Sequence, residues 1–134
     1  MQTNKGFTLI ELLVVIAIIG ILAGMVILNL NEIPNQAKDV KIQNFLDQIR
    51  TSASVWYNSQ GTYVGFDTSD TNGTNLKTEI LAMPTAYQSS STASAYCASA
   101  ALVSNPAVYF CIDSTGFSGT TTETFCTATS IACE

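Results

Sequence analysis

The protein has 134 residues, a formal net charge of −5, four cysteines and no histidine. This length suits one domain plus a membrane segment. Beyond Arg50 the only basic residue is Lys77, and the acidic remainder disfavours bulk electrostatic binding of nucleic acid. The absence of histidine, of a glycine-rich phosphate loop and of a nucleophile elbow removes the usual catalytic constellations, so we predict neither enzyme activity nor a cofactor.

Residues 7–30 form an apolar stretch with one ionisable side chain, Glu11, behind a short polar leader that ends in Lys5 and Gly6. As a helix, this stretch would be about 36 Å long, enough to cross a bilayer core of about 30 Å. A carboxylate in such a span costs about 2.5–3.5 kcal/mol on insertion scales. Glu11 therefore needs a partner, or a position at the interface where it can snorkel. A secretory signal peptide fits poorly, because the apolar run is too long and the glycine precedes it.

The sequence KGFTLIE at the head of this stretch, residues 5–11, resembles the processing site of type IV pilins and pseudopilins. The resemblance implies that a membrane prepilin peptidase cuts between Gly6 and Phe7 and methylates the new amine. Lys5 would then be the basic residue of the discarded leader. An apolar run is common, but this hexapeptide after the lysine is not.

The same resemblance implies that Glu11, together with Thr8, acts in filament assembly. The carboxylate of Glu11 would neutralise the Phe7 amine of a neighbouring subunit. Opposite charges attract strongly in a low-dielectric setting, and pairing offsets the burial penalty of both groups. The alternative is a carboxylate that merely sits at the membrane interface.

Two glycines, Gly20 and Gly24, interrupt the apolar stretch at a spacing of four residues. They predict either a close helix–helix contact face or a flexible point, since glycine costs up to about 1 kcal/mol relative to alanine in a helix. In type IV pilins and pseudopilins, which this stretch resembles, the helix commonly unwinds near a proline in this region. Here no proline precedes Pro34, so unwinding would depend on these glycines and on Asn29 and Asn31.

Residues 32–57 have the pattern of an amphipathic helix that continues the apolar one. An apolar stripe recurs at spacings of three and four residues and comprises Ile33, Ala37, Val40, Ile42, Phe45, Leu46, Ile49, Ala53 and Trp56. The pattern predicts one long, bent helix whose second half is covered on one side by the rest of the chain, with Trp56 as a core anchor. The turn-forming residues 58–61 predict its end.

The polar residues 67–75 predict a loop. It contains Asn72-Gly73-Thr74, formally an N-glycosylation acceptor, which we interpret as a glycine turn. Its acidic side chains suggest calcium, but their spacing does not match an EF-hand loop. Residues 76–81 predict a short helical turn before Pro84.

The C-terminal part has the pattern of strands at residues 94–103 and 107–113, with a weaker one at 121–127 and turns at 104–106 and 113–116. The predicted fold class is therefore α+β: a long N-terminal helix, membrane-spanning in its first half, packed against a small antiparallel sheet. We expect a leader over residues 1–6, an apolar helix over 7–31 and a globular head over 32–134.

The four cysteines all lie in this C-terminal part and allow three connectivities. A zinc site is poorly supported without histidine or a CxxC pair, so we predict no metal and two disulfides formed in an oxidising compartment. Sequential pairing is preferred, with Cys97–Cys111 across the hairpin and Cys126–Cys133 at the C-terminus. The second loop resembles the C-terminal disulfide loop of pilins.

The sequence thus favours a structural subunit that polymerises into a type IV pilus. Its expected partners are other pilin subunits, a prepilin peptidase and an inner-membrane assembly platform. The precursor would cross the cytoplasmic membrane once, with its amino end inside, and the assembled pilus would be extracellular. Two alternatives stay open: a minor pilin or pseudopilin of a type II secretion or DNA-uptake system, and a monomeric membrane-anchored binding module.

Overall fold

The computed structural model describes residues 6–27, 33–123, 126–127 and 130–133, with the backbone alone for residues 26 and 27. Its contacts divide the chain into two units, one up to Pro34 and one from Asn35 onward. Lys5, Asn29 and Asn31 lie outside the described residues, as does the predicted helical connection through residues 28–32.

The first unit contains helix α1, Leu9–Ile27. At 1.5 Å per residue it is about 28 Å long. Apolar residues occupy every face, and their side chains are exposed along the helix, from 81% at Leu9 to 46% at Val15. A helix that is apolar all round is typical of one covered by other helices or by lipid.

Helix α2, Ile33–Gln60, forms one wall of the core of the second unit. Its buried side chains recur at spacings of three and four residues: Asp39, Ile42, Leu46, Ile49, Ser52 and Ala53. The predicted amphipathic helix is therefore confirmed. The predicted start of its apolar stripe is wrong, because Ile33, Ala37 and Val40 are exposed. At 100° per residue, Val40 is rotated by about 200° from Ile42 and lies on the opposite side of the helix.

The end of α2 lies at the predicted turn. Gly61 has a φ of 69°, and its N–H donates to the carbonyl of Tyr57 at 2.8 Å. Glycine adopts this left-handed conformation without steric cost. Trp56 is half-buried and packs against the core, and its Nε1–H donates to the carbonyl of Val64 at 3.1 Å.

Helix α3, Thr71–Leu81, occupies most of the segment predicted as a polar loop. That prediction is wrong from residue 71 onward, because Asp70 caps the helix: its Oδ2 accepts the N–H of Gly73 at 2.7 Å. The hydroxyl of Ser52 on α2 donates to the same oxygen. Asp70 is an ordinary N-cap signal that the turn-forming Asn72-Gly73 pair obscured.

The second unit also contains a four-stranded antiparallel sheet in the order β1-β2-β3-β4. The strands are β1 Tyr87–Ser91, β2 Tyr96–Ala101, β3 Tyr109–Asp113 and β4 Ser118–Thr121. The two central strands fall within the predicted ranges. The last strand lies earlier in the chain than predicted, and β1 is absent from the prediction because its sequence, YQSSS, has no apolar alternation.

Successive residues of a strand point to opposite faces of the sheet, and each face here carries its own buried cluster. On one face Ala98, Ala100 and Ile112 pack with the buried side of α2 and with Phe66, Ile80 and Tyr96. On the other face the four cysteines pack with Phe117 and Ile131. The long helix packed against an antiparallel sheet confirms the α+β class.

Three buried aspartates connect these elements. Asp39 on α2 accepts the N–H groups of Val103 and Ser104 in the β2–β3 loop. Asp67 pairs with Lys77 at 3.1 Å and accepts from the hydroxyl of Ser89 on β1. The two acidic side chains of the predicted loop, Asp67 and Asp70, thus bind other groups of the protein. These contacts give no support to a calcium site.

Asp113 is the third buried aspartate and is 1% exposed. Its Oδ1 accepts from both the N–H and the hydroxyl of Thr115 and from the N–H of Phe117, and its Oδ2 accepts the N–H of Cys133 at 3.0 Å. It therefore joins the β3–β4 turn to the C-terminal segment.

Candidate functional site

The first turn of α1 is closed by reciprocal hydrogen bonds between Thr8 and Glu11. The backbone N–H and the hydroxyl of Thr8 donate to Oε2 of Glu11, at 2.9 Å and 2.7 Å. In return, the N–H of Glu11 approaches Oγ1 of Thr8 at 3.4 Å. This is a capping box, in which the first and fourth residues of the helix start satisfy each other's free N–H groups.

Thr8 and Glu11 are predicted to belong to one site, but the contact between them is not part of that prediction. The signal for it is present in the sequence, since Thr-x-x-Glu before an apolar run is the pattern of a capping box. Glu11 consequently has a local structural use in addition to any role between subunits.

The surroundings of Glu11 are open and apolar. Its side chain borders a depression of about 390 Å³ that is otherwise lined by Phe7, Ile10, Val14 and Val15. The ion pairs found within the described part of the chain do not include Glu11. Both hydrogen bonds that its side chain accepts there end on Oε2. Oε1 is therefore free, within that part of the chain, to accept a further donor.

The predicted cleavage position lies just ahead of α1. Gly6, Phe7 and Thr8 precede the helix and are exposed, and Phe7 is 83% exposed. A Cβ added at Gly6 would meet no atom within 4 Å. The peptide bond between Gly6 and Phe7 therefore lies in exposed, non-helical chain.

Gly20 and Gly24 lie within the continuous helix α1. A Cβ at either position would meet nothing within 4 Å. Being four residues apart, the two glycines share one face and form an open strip where another backbone can approach closely. Their predicted flexibility has no counterpart in the described helix and stays a prediction.

The disulfide pairing differs from the preferred one. The structure pairs Cys97 with Cys126 and Cys111 with Cys133, with Cα–Cα distances of 5.4 Å and 5.9 Å. The prediction of Cys97–Cys111 and Cys126–Cys133 is therefore wrong in this structure.

The strand register explains the correction. Cys97 lies opposite Asp113, and Cys111 lies opposite Ser99. The two cysteines share a face but are diagonal neighbours. The Cα atoms of such neighbours lie about 7–8 Å apart, whereas those of a disulfide usually lie about 4.4–6.8 Å apart. Each therefore pairs with a cysteine of the C-terminal segment that crosses this face.

These sulfurs are also the one group with metal-ligand chemistry within the described residues. The Sγ atoms of Cys111, Cys126 and Cys133 lie within 4.8 Å of one another. Every cysteine is in a disulfide, and a disulfide sulfur lacks the thiolate charge that binds a metal. The two disulfides covalently link the C-terminal segment to the sheet.

Across the part of the chain that the structure covers, none of the helices combines the length and the apolar character needed to pass through a membrane.

Comparison with known proteins returns one family description and two relatives. Residues 1–27 match the prokaryotic N-terminal methylation motif. The chain is 36% identical over 63 residues to the type IV major pilin protein PilA of Myxococcus xanthus, covering 47% of this chain and 29% of that protein. It is 51% identical over 47 residues to the type IV wide pilus major component PilA4 of Thermus thermophilus, covering 35% of this chain and 36% of that protein.

Each match thus spans about a third of the relative's own length. No solved structure matches the chain significantly. The chain carries the prokaryotic N-terminal methylation motif and, over a third to a half of its length, is similar to the major pilins of type IV pili.

Proposed function

We propose that this chain is a structural subunit that polymerises into a type IV pilus after its leader is removed. The observation that carries the proposal is the match of residues 1–27 to the N-terminal methylation motif. Glu11 lies in the first turn of the apolar helix α1. The similarity to two major pilins supports it. The role is architectural and involves no catalysis by the subunit.

Processing starts with a prepilin peptidase that cuts between Gly6 and Phe7 and methylates the new amine. The capping box survives this cut, because Thr8 and Glu11 both follow it. Glu11 becomes the fifth residue of the mature chain and lies in the first turn of α1. The helix start is thus already formed when the subunit meets its neighbours.

Assembly pairs the Phe7 amine of one subunit with the Glu11 carboxylate of the next. Oε2 accepts hydrogen bonds from Thr8, and Oε1 accepts a hydrogen bond from the amine N–H of the neighbouring subunit. The exposed apolar side chains of α1 then pack between subunits, which removes from water a helix surface that the subunit alone leaves uncovered.

Before assembly the precursor spans the inner membrane once, through the apolar run that begins at Phe7, with its amino end in the cytoplasm. Two disulfides in the head support an oxidising outer compartment for that part. An inner-membrane platform then transfers the subunit into the extracellular fibre.

The deciding experiment combines three variants with two readouts, electron microscopy of sheared material and the mass of the N-terminal peptide. Wild-type fibres should contain subunits that start at methylated Phe7. Glu11→Leu removes both the cap and the charge, and we expect it to abolish fibres. Glu11→Gln retains a side chain that can close a capping box but removes the charge, and we expect the same loss. Thr8→Ala removes the cap, at about 1 kcal/mol, but keeps the carboxylate, and fibres should persist.

Each contrary outcome has a definite meaning. Fibres from Glu11→Gln but not from Thr8→Ala would assign Glu11 to the helix cap and reject the pairing with the amine. An unprocessed chain that remains in membranes would favour a tethered binding module. A processed chain without long fibres would favour a minor pilin or pseudopilin.

A further inference from the structure

The first turn of α3 holds the sole Asn-Gly pair of the sequence, Asn72-Gly73. Asn72 is exposed, whereas Gly73 is buried. Asparagine is a thermolabile residue, and a following glycine makes it more so because no side chain shields the next backbone nitrogen. The pair is therefore prone to reaction at Asn72, although it lies in a helix, α3.

Packing explains why the chain keeps a glycine there. A Cβ on residue 73 would lie 2.3 Å from the carbonyl oxygen of Phe66 and 3.3 Å from Cα of Asp67. The first of these distances is too short for any real contact. Glycine is needed for this close approach between α3 and the segment before it, even though it makes the preceding Asn72 chemically less stable.

The reaction open to such a pair is deamidation through a cyclic imide. The backbone nitrogen of Gly73 attacks Cγ of Asn72, a new N–Cγ bond forms, the Cγ–Nδ2 bond breaks, and ammonia leaves with the proton from the Gly73 nitrogen. Water then opens the ring. Cleavage of the N–Cγ bond gives aspartate, and cleavage of the bond from that nitrogen to the backbone carbonyl carbon gives isoaspartate. Overall, one water is consumed and one ammonia is released.

The attacking nitrogen is occupied in the native structure. The N–H of Gly73 donates to Oδ2 of Asp70 at 2.7 Å, and the hydroxyl of Ser52 donates to the same carboxylate oxygen and helps to hold it. The next N–H, on Thr74, donates to the carbonyl of Asp70 at 2.9 Å. Both the helical backbone and the hydrogen bond keep the nitrogen away from Cγ of Asn72.

We propose that Asn72 is a deamidation site of this protein and that the Asp70 cap controls its rate. The reaction proceeds when the first turn of α3 opens, and Asp70 lowers the frequency of that opening. The product adds one negative charge to a chain of net charge −5. The new carboxylate also lies at a groove of about 410 Å³ between α2 and α3, which residue 72 lines together with Gln48 and Asn75.

The test is peptide mapping of the full chain, solubilised in detergent and incubated at mildly alkaline pH. Cleavage after Arg50 and Lys77 releases residues 51–77, which also contain Asn58 and Asn75 as internal references. We expect the native wild type to deamidate at residue 72 about tenfold or more slowly than the same chain unfolded in urea. Asp70→Ala should raise the native rate about fivefold, the effect of losing an N-cap worth about 1 kcal/mol.

Two further variants separate the cap from other effects. Asp70→Ser retains a capping side chain without the charge, so its rate should stay near that of the wild type. Asp39→Ala disrupts the anchor of the β2–β3 loop instead and should leave residue 72 unaffected. Equal rates for wild type and Asp70→Ala would overturn the proposal. So would a native rate equal to the rate in urea, a fast Asp70→Ser variant, or an Asp39→Ala variant as fast as Asp70→Ala.

Discussion

At the scale of single residues, the carboxylates of the second unit mostly connect elements of the fold. Asp39, Asp67 and Asp113 are buried, and each accepts hydrogen bonds from a segment distant in sequence. From the sequence alone, Asp67 and Asp113 count toward an acidic surface. A buried carboxylate is costly unless hydrogen-bond donors surround it. Because these three aspartates have such donors, their charges stabilise the loops and turns that supply them.

The pKa of the Asp113 carboxyl reflects this arrangement. Burial by itself raises the pKa, but hydrogen bonds from the hydroxyl of Thr115 and from the N–H groups of Cys133, Thr115 and Phe117 outweigh burial. The net pKa lies below the ordinary value of 3.8. Charged Asp113 is therefore favoured in the folded state more than in the unfolded state.

We predict a pH dependence of stability that follows from this lowered pKa. The contribution of Asp113 is fully present above the unfolded value of 3.8 and is lost as the pH falls through the lower folded value. Urea unfolding between neutral pH and strong acid, followed by the fluorescence of Trp56, measures the loss. Asp113→Asn should be less stable at neutral pH, and its deficit should shrink below the ordinary pKa. A deficit that is constant with pH would contradict the assignment.

At the scale of elements, the helical periods identify α2 correctly but assign its first turns to the wrong face. Ile33 and Val40 are apolar yet exposed, while the polar Asp39 is buried. The buried residues of α2 begin at Asp39, and Val40 lies on the opposite side of the helix, so apolar character alone does not locate the buried face in these first turns. Sequence pattern determines the period, and contact with the sheet determines the phase.

Helix α3 depends on a close approach that a substitution can test. Gly73→Ala places a Cβ 2.3 Å from the carbonyl oxygen of Phe66, and overpacking of this kind costs about 1–3 kcal/mol or more. We expect reduced helical circular dichroism and a lower urea midpoint. Gly61→Ala is the matched control: it meets no atom within 4 Å but is strained by a φ of 69°, and it should cost about 1–2 kcal/mol without loss of α3. Equal helical content in the two variants would contradict the role of Gly73.

At the scale of the whole molecule, two disulfides fasten the C-terminal segment across the sheet face opposite α2. Each closes a loop, with sequence separations of 29 and 22 residues. In the chain-entropy model, each loop is worth about 3.5 kcal/mol. The arrangement covers the second face of a small sheet, where Phe117 and Ile131 pack with the four cysteines.

The connectivity has a direct test. Cleavage after Glu123 separates residues that contain Cys97 and Cys111 from the final segment, which contains Cys126 and Cys133. With the pairing in the structure, the two fragments should stay joined until a reductant is added. Sequential pairing would release them without reduction. A Cys97→Ser/Cys126→Ser double variant should also lose about 3 kcal/mol of stability while retaining the link through Cys111 and Cys133.

The sequence by itself determined the features that depend on local order: the apolar helix with its processing motif, the amphipathic period of α2, the turn at Gly61 and the two central strands. These follow from side-chain type and spacing, which act over a few residues. Only the tertiary structure decided which cysteines pair, which aspartates are buried and why residue 73 is glycine. Each of these depends on strand register or on the approach of segments far apart in the chain, and a shift of one or two residues in register would change all of the contacts while leaving the local pattern intact.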